Sequence, residues 1–101
     1  MTTLADIAWV VRSKNAGPLT LTLDLLFADD ASFERALAAP GLSARSVAAR
    51  YGVAPGLVTR IPYPPARAIK FTMPRAVVAG NPGDRDVYGA QQHAPLLDIE
   101  V

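Results

Sequence analysis

Cysteine is absent from this chain of 101 residues. That excludes disulfides and thiolate chemistry, and it fits a reducing, cytoplasmic compartment. A surplus of either charge is missing too, since ten basic residues face nine acidic ones. No broad electropositive field follows, so generic nucleic-acid binding is not expected. Long hydrophobic runs are lacking; none approaches the ~18 residues that cross a bilayer, so no membrane association is expected. The opening Met1–Asp6 has no basic stretch and carries an early acid, so no signal peptide is expected. With one histidine and no cysteine, only carboxylates remain as metal ligands. The pairs Asp29–Asp30 and Asp84/Asp86 read as a helix cap and a loop, so neither a metal nor another cofactor is expected. The glycine fingerprint of a dinucleotide site, the Walker pattern and a nucleophile elbow are all missing.

What is present is an apolar, ordered chain. Half of the residues are hydrophobic and 19% are charged, which argues against disorder. The length suits a single domain, 1–101, that buries roughly 60–65% of its unfolded surface. That margin is modest, and a partner or a second copy would add to it.

Glycine and proline are missing before Gly17 and again between Pro18 and Pro40, so regular structure is expected in those windows. In Leu4–Val11, Ile7, Trp9 and Val11 share one strand face and Ala8 and Val10 the other, which predicts a strand apolar on both faces with Trp9 in the core. Ser13–Pro18 reads as a turn, with Asn15 and Gly17 available for positive φ. Leu19, Leu21, Leu23, Leu25 and Phe27 alternate with Thr20, Thr22, Asp24 and Leu26 and predict a second strand. Asp29, Asp30 and Ser32 offer N-cap oxygens for a helix that Pro40-Gly41 ends. Leu42 and Val47 are spaced as a hydrophobic staple around a Ser43 cap, and Gly52 closes that second helix.

Leu57–Ile61 predicts a short strand that Pro62 stops. Ile69, Phe71 and Met73 alternate with Lys70 and Thr72 in another, closed by Pro74. Gly80–Asp84 reads as a loop. Leu97, Ile99 and Val101 alternate to the last residue, which predicts a final strand docked in a sheet. The order β-β-α-α-β-β-β indicates an α+β fold: a compact mixed or antiparallel sheet with two short helices on one face, ferredoxin-like in class without a strict βαββαβ order. The seven aromatics fall mostly on inward positions, unlike an RNA-binding sheet.

Two polar stretches stand out. Arg12, Ser13, Lys14 and Asn15 offer guanidinium, hydroxyl, ammonium and amide around a glycine turn, a carboxylate or phosphate cradle. The plain alternative is a polar hairpin loop. The second stretch, Asp86–Pro95, holds Tyr88, Gln91, Gln92 and His93. His93 has the one side chain whose ordinary pKa lies near neutrality. As a general base it would need an orienting carboxylate such as Asp86 or Asp98; the plain alternative is a histidine bonding a backbone group. In an extended segment Gln91 and His93 point the same way, so Gln91 could donate to a substrate oxygen beside His93, with Gln92 on the other side. The Tyr88 ring packs while its hydroxyl seeks a partner.

The chain resembles a small bacterial family, the domain-of-unknown-function family 4387. The matching residues are Leu4–Ala8 leading to Arg12-Ser13-Lys14-Asn15-Ala16-Gly17-Pro18, then Leu21–Asp24, Ala68–Thr72, Pro74-Arg75 and Asp86–Leu96. That family is similar to the small C-terminal domain of AtuA-like proteins of acyclic terpene utilisation, which carry Arg-Ser-Gly-Asp-Lys-Gly where this chain has Arg12–Gly17. The acidic residue is missing here and the lysine is displaced, so a role for that acid does not carry across. The resemblance implies a ferredoxin-like fold and a larger AtuA-like protein as partner, fused or encoded nearby. It also implies catabolism of carboxylic acids or acyl-CoA compounds.

The expected function is therefore a small subunit of such a partner. It would contribute Arg12–Asn15 and Gln91–His93 to a site for an organic acid or acyl-CoA, with addition or elimination of water as the chemistry. His93 would move the proton, Arg12 or Lys14 would hold the carboxylate, and Gln91 would position an oxygen. The competing expectation is a non-catalytic ligand-binding or assembly module, homodimeric through a sheet edge. A stand-alone enzyme is the least economical reading. All of this requires the two polar stretches to meet.

Overall fold

The structure, a computed structural model, describes residues 2–17, 19–74 and 93–101. Its elements are α1 (Leu4–Ile7), β1 (Val10–Asn15), β2 (Thr20–Leu26), α2 (Asp30–Ala38), α3 (Ala44–Tyr51), β3 (Thr59–Tyr63) and β4 (Ala68–Pro74). Short 3₁₀ turns cover Pro40–Leu42, Pro55–Leu57, Pro64–Ala66 and Ala94–Leu96. The four strands form one sheet in the order β1-β2-β4-β3, with every neighbouring pair antiparallel. This is the expected α+β class. Two hairpins are joined through two helices, and a ferredoxin-like identity is not confirmed, since that fold runs β-α-β-β-α-β.

Register sorts the side chains by parity. Leu23 lies opposite Ser13 on one side and Phe71 on the other, and Leu21 and Leu25 lie opposite Met73 and Ile69. These residues are buried together with Phe33 and Ala36 of α2 and Val47 and Ala48 of α3, so both helices cover this one face. Each such large apolar side chain contributes about 1.5–3 kcal/mol by leaving water. Asp29 caps α2 by accepting the Ser32 N–H at 2.7 Å. Ser43 caps α3 by accepting the Ser46 N–H at 3.1 Å, and Gly52 ends that helix at φ 67. Leu42 and Val47, the expected staple, are both fully buried.

Five expectations need correction. Leu4–Ile7 is helical rather than extended, because the Thr3 N–H bonds the Asp6 carboxylate at 2.8 Å and the Ala8 N–H returns to the Leu4 carbonyl. This local start signal outweighs the alternation. The first strand begins later, at Val10, and absorbs Ser13–Asn15, so the chain leaves the strand only at Ala16, with Gly17 at φ 88. Trp9 stands before the strand and is 71% exposed rather than in the core.

The last run does not join the sheet. It makes one bridge, Thr3 to Glu100, and its fully buried anchors are Leu96 and Ile99, three apart as a 3₁₀ turn requires. Main-chain bonds from Leu4 to Ile99 (2.8 Å) and from Ala5 to Leu97 (3.1 Å) hold it against α1.

Pro62 lies inside β3 instead of stopping it. The bond from Phe27 N–H to the Arg67 carbonyl sets the phase of the β2–β4 ladder. Odd positions of β4 then bond β2, even positions bond β3, and the main-chain groups of Arg60 and Pro62 point away from the sheet. A proline on the outer side of an edge strand forfeits no ladder bond and blunts that edge.

Candidate functional site

Strand alternation divides the first polar stretch. Ser13 and Asn15 lie on the helix-covered face, and Arg12 and Lys14 on the opposite one. Ser13 is buried, and its Oγ accepts the backbone N–H of His93 at 3.1 Å. The two polar stretches therefore touch, through Ser13 and the main chain of His93. Arg12 instead pairs with Asp24, its cross-strand neighbour, Nε to Oδ2 at 3.2 Å. The four side chains do not form one cradle on one face. Gln91, Gln92 and Tyr88 lie outside the described residues, as do Asp86 and the Gly80–Asp84 loop.

Several groups fix the segment that carries His93. Its carbonyl accepts the Leu96 N–H at 3.0 Å, opening the 3₁₀ turn. Arg50 of α3 donates to the Pro95 carbonyl at 3.1 Å and pairs with Asp98. Arg35 of α2 reaches the Val101 oxygen with both Nε (3.3 Å) and a terminal nitrogen (3.0 Å). Gly41 admits the segment against the helix connection, since a Cβ there would stand 2.7 Å from Ile99 Cγ2. Asp98, considered as an orienting carboxylate for His93, is paired with Arg50.

The opposite face is graded by rows across the strands. One row is Val10, Leu26, Ala68 and Tyr63; the next is Arg12, Asp24, Lys70 and Ile61; a third is Lys14, Thr22, Thr72 and Thr59. Ile61 and Tyr63 are exposed apolar groups. Lys14 and Lys70 make no ion pair among the described residues, whereas Thr22 is only 1% exposed despite facing outward. Beyond the threonine row lies a cleft of about 230 Å³ lined by Leu19, Thr20, Leu57, Thr72, Met73 and Pro74. Sequence reasoning missed this cleft, because its leucines come from two turns flanking different strands. It also missed Arg60, whose guanidinium crosses the helix layer to the Leu37 carbonyl at 2.9 Å.

Ionisation is shifted at the structural caps. Backbone N–H donors from Thr3 and Ser32 hold the Asp6 and Asp29 carboxyls below their ordinary range. Burial pushes the Tyr51 phenol up, so it stays neutral at physiological pH. Among the described residues no three His, Asp or Glu side chains gather as metal ligands, and no helix is long and apolar enough to cross a membrane.

Comparison with curated proteins and with solved structures finds no match. A family model does match, covering residues 4–100, nearly the whole chain and both polar stretches. The chain belongs to the family described as Domain of unknown function (DUF4387).

Proposed function

We propose that the chain is a small subunit or accessory domain of a larger AtuA-like protein, lending its first-strand and C-terminal polar stretches to a shared site. The substrate class is an organic acid or its CoA thioester, and the chemistry is addition or elimination of water. His93 moves the proton and Gln91 positions an oxygen. Lys14 holds the carboxylate better than Arg12, because Asp24 already occupies the Arg12 guanidinium. The Ser13–His93 contact carries this reading, since it gives two distant stretches a common location. A buried serine holding the main chain of the only histidine, in a segment clamped by two helices, suits a group that must be presented rigidly. The modest core of a domain this size suits a chain that completes itself on a partner.

Co-expression with a larger AtuA-like protein from the same genome tests the proposal: one complex should purify, and His93→Ala should lower its activity about 100-fold or more without dissociating it. A chain that stays apart from that protein ends the reading.

A second reading, a non-catalytic ligand-binding or assembly module, draws support from the exposed Ile61 and Tyr63. Pro62 argues against a homodimer built by extending the sheet at β3. On this reading His93→Ala leaves any associated activity intact and changes assembly or ligand affinity.

A further inference from the structure

We propose that β3 and the turn after it, Ile61–Ala66, form the surface by which this chain docks onto a larger protein, and that the matching surface of that protein is an apolar groove rimmed by carboxylates. The partner's identity rests on the reading above; the contact face and the chemistry opposite it go beyond it.

Exposure singles out the segment. Ile61–Ala66 is a run of six consecutive exposed residues without a charge. Ile61 and Tyr63 are 46% and 59% exposed although both sit on a paired strand, opposite Lys70 and Ala68. A contiguous exposed apolar stretch marks an interaction site, and tyrosine is among the side chains that carry most interface energy. Three prolines stiffen it: Pro62 in the strand, and Pro64 and Pro65 in the 3₁₀ turn, which the Arg67 N–H closes onto the Pro64 carbonyl at 3.0 Å. A surface already fixed in shape loses little entropy on docking. Pro62 has no N–H to offer along the outer edge, so the contact is made by side chains and not by an added strand.

Charge identifies the occupant. From Arg35 to Gly83 the sequence has seven basic residues and no acid. Three of the seven, Arg60, Arg67 and Lys70, border the segment. Arg67 pairs with Asp30, while Arg60 and Lys70 make no ion pair among the described residues. A two-fold contact between copies of this chain would set these cations against their own counterparts, at a cost in like-charge repulsion. A different protein with carboxylates around an apolar groove meets both the uncharged centre and the cationic border. β3 lies three strands from β1, about 14 Å at the usual interstrand spacing, so a larger protein seated on this edge can also reach Ser13 and His93.

The test is a calorimetric titration of the full chain with a purified AtuA-like protein from the same genome. Ile61→Ala and Tyr63→Ala should each weaken binding about tenfold or more. The thermal midpoint of the free chain should change little, because both side chains are exposed. Lys70→Glu should slow association several-fold at low salt and less at high salt. Leu19→Ala, at a side chain 60% exposed at the other end of the sheet, should bind as the unchanged chain does. Unweakened binding by both β3 variants, or an equal loss in Leu19→Ala, overturns the docking face and leaves the partner reading standing. Absence of any complex ends that reading and the docking face with it.

Discussion

Ile99 lies so close to Gly41 that its Cγ2 would stand 2.7 Å from a Cβ at that position, with the Glu100 carbonyl at 3.2 Å. The C-terminal segment thus fits against the helix connection only because residue 41 has no side chain. Gly41→Ala should cost about 1–3 kcal/mol, the usual penalty of overpacking. Ile99→Ala removes the clashing carbon, so the double variant should lose less than the sum of the two single changes. Urea denaturation of the four proteins measures this; strict additivity would contradict the packing.

Arg67 sits at φ 49, in the left-handed region, at the turn between β3 and β4, and its Nε pairs with Asp30 at 2.7 Å. The pair is exposed and contributes little. The backbone strain is the larger effect, so Arg67→Gly should be more stable than Arg67→Ala by about 1 kcal/mol. Thermal denaturation of both variants decides it; an alanine variant at least as stable would contradict the argument.

Acid should weaken the helix starts. Hydrogen bonds from Thr3 and Ser32 lower the native pKa values of Asp6 and Asp29, so their contribution is complete above the unfolded value near 4 and is lost as pH falls through the lowered native values. Stability measured from pH 6 to pH 2 should fall below about pH 4, with a shallower slope in the Asp6→Asn, Asp29→Asn double variant. An unchanged slope would remove these caps from the account.

Much of the fold was legible because local chemistry and packing agree there. The leucine alternation of β2, the Asp29 and Ser43 caps, Gly52 and the Leu42–Val47 staple all point to the elements that form. The errors came where two local signals competed. Thr3 and Asp6 close a helical turn that alternation through Ile7 and Trp9 hides. At the C-terminus the Leu96–Ile99 spacing of three won over the alternation of Leu97, Ile99 and Val101. Reading Ser13–Asn15 as a turn had the largest consequence for the site. A turn would gather four polar side chains, whereas a strand sends alternate ones to opposite faces. The Ser13–His93 contact spans 80 positions, and the expectation that the two stretches meet rested on composition rather than on any local pattern.

Removing the hydroxyl of Ser13 should loosen His93 without unfolding the chain. Ser13→Ala leaves the His93 N–H without this acceptor, at a cost of about 1–3 kcal/mol. The clamps from Arg35 and Arg50 hold the rest of the segment. Denaturation should show that loss while the Leu96 and Ile99 amides stay protected.

The most direct test of the central claim, that the first-strand and C-terminal motifs share one location, is NMR of the His93 amide. The account predicts a nuclear Overhauser contact from that amide to the Ser13 β-protons, and slow hydrogen exchange that speeds up in Ser13→Ala. A freely exchanging His93 amide with no contact to Ser13 would contradict it.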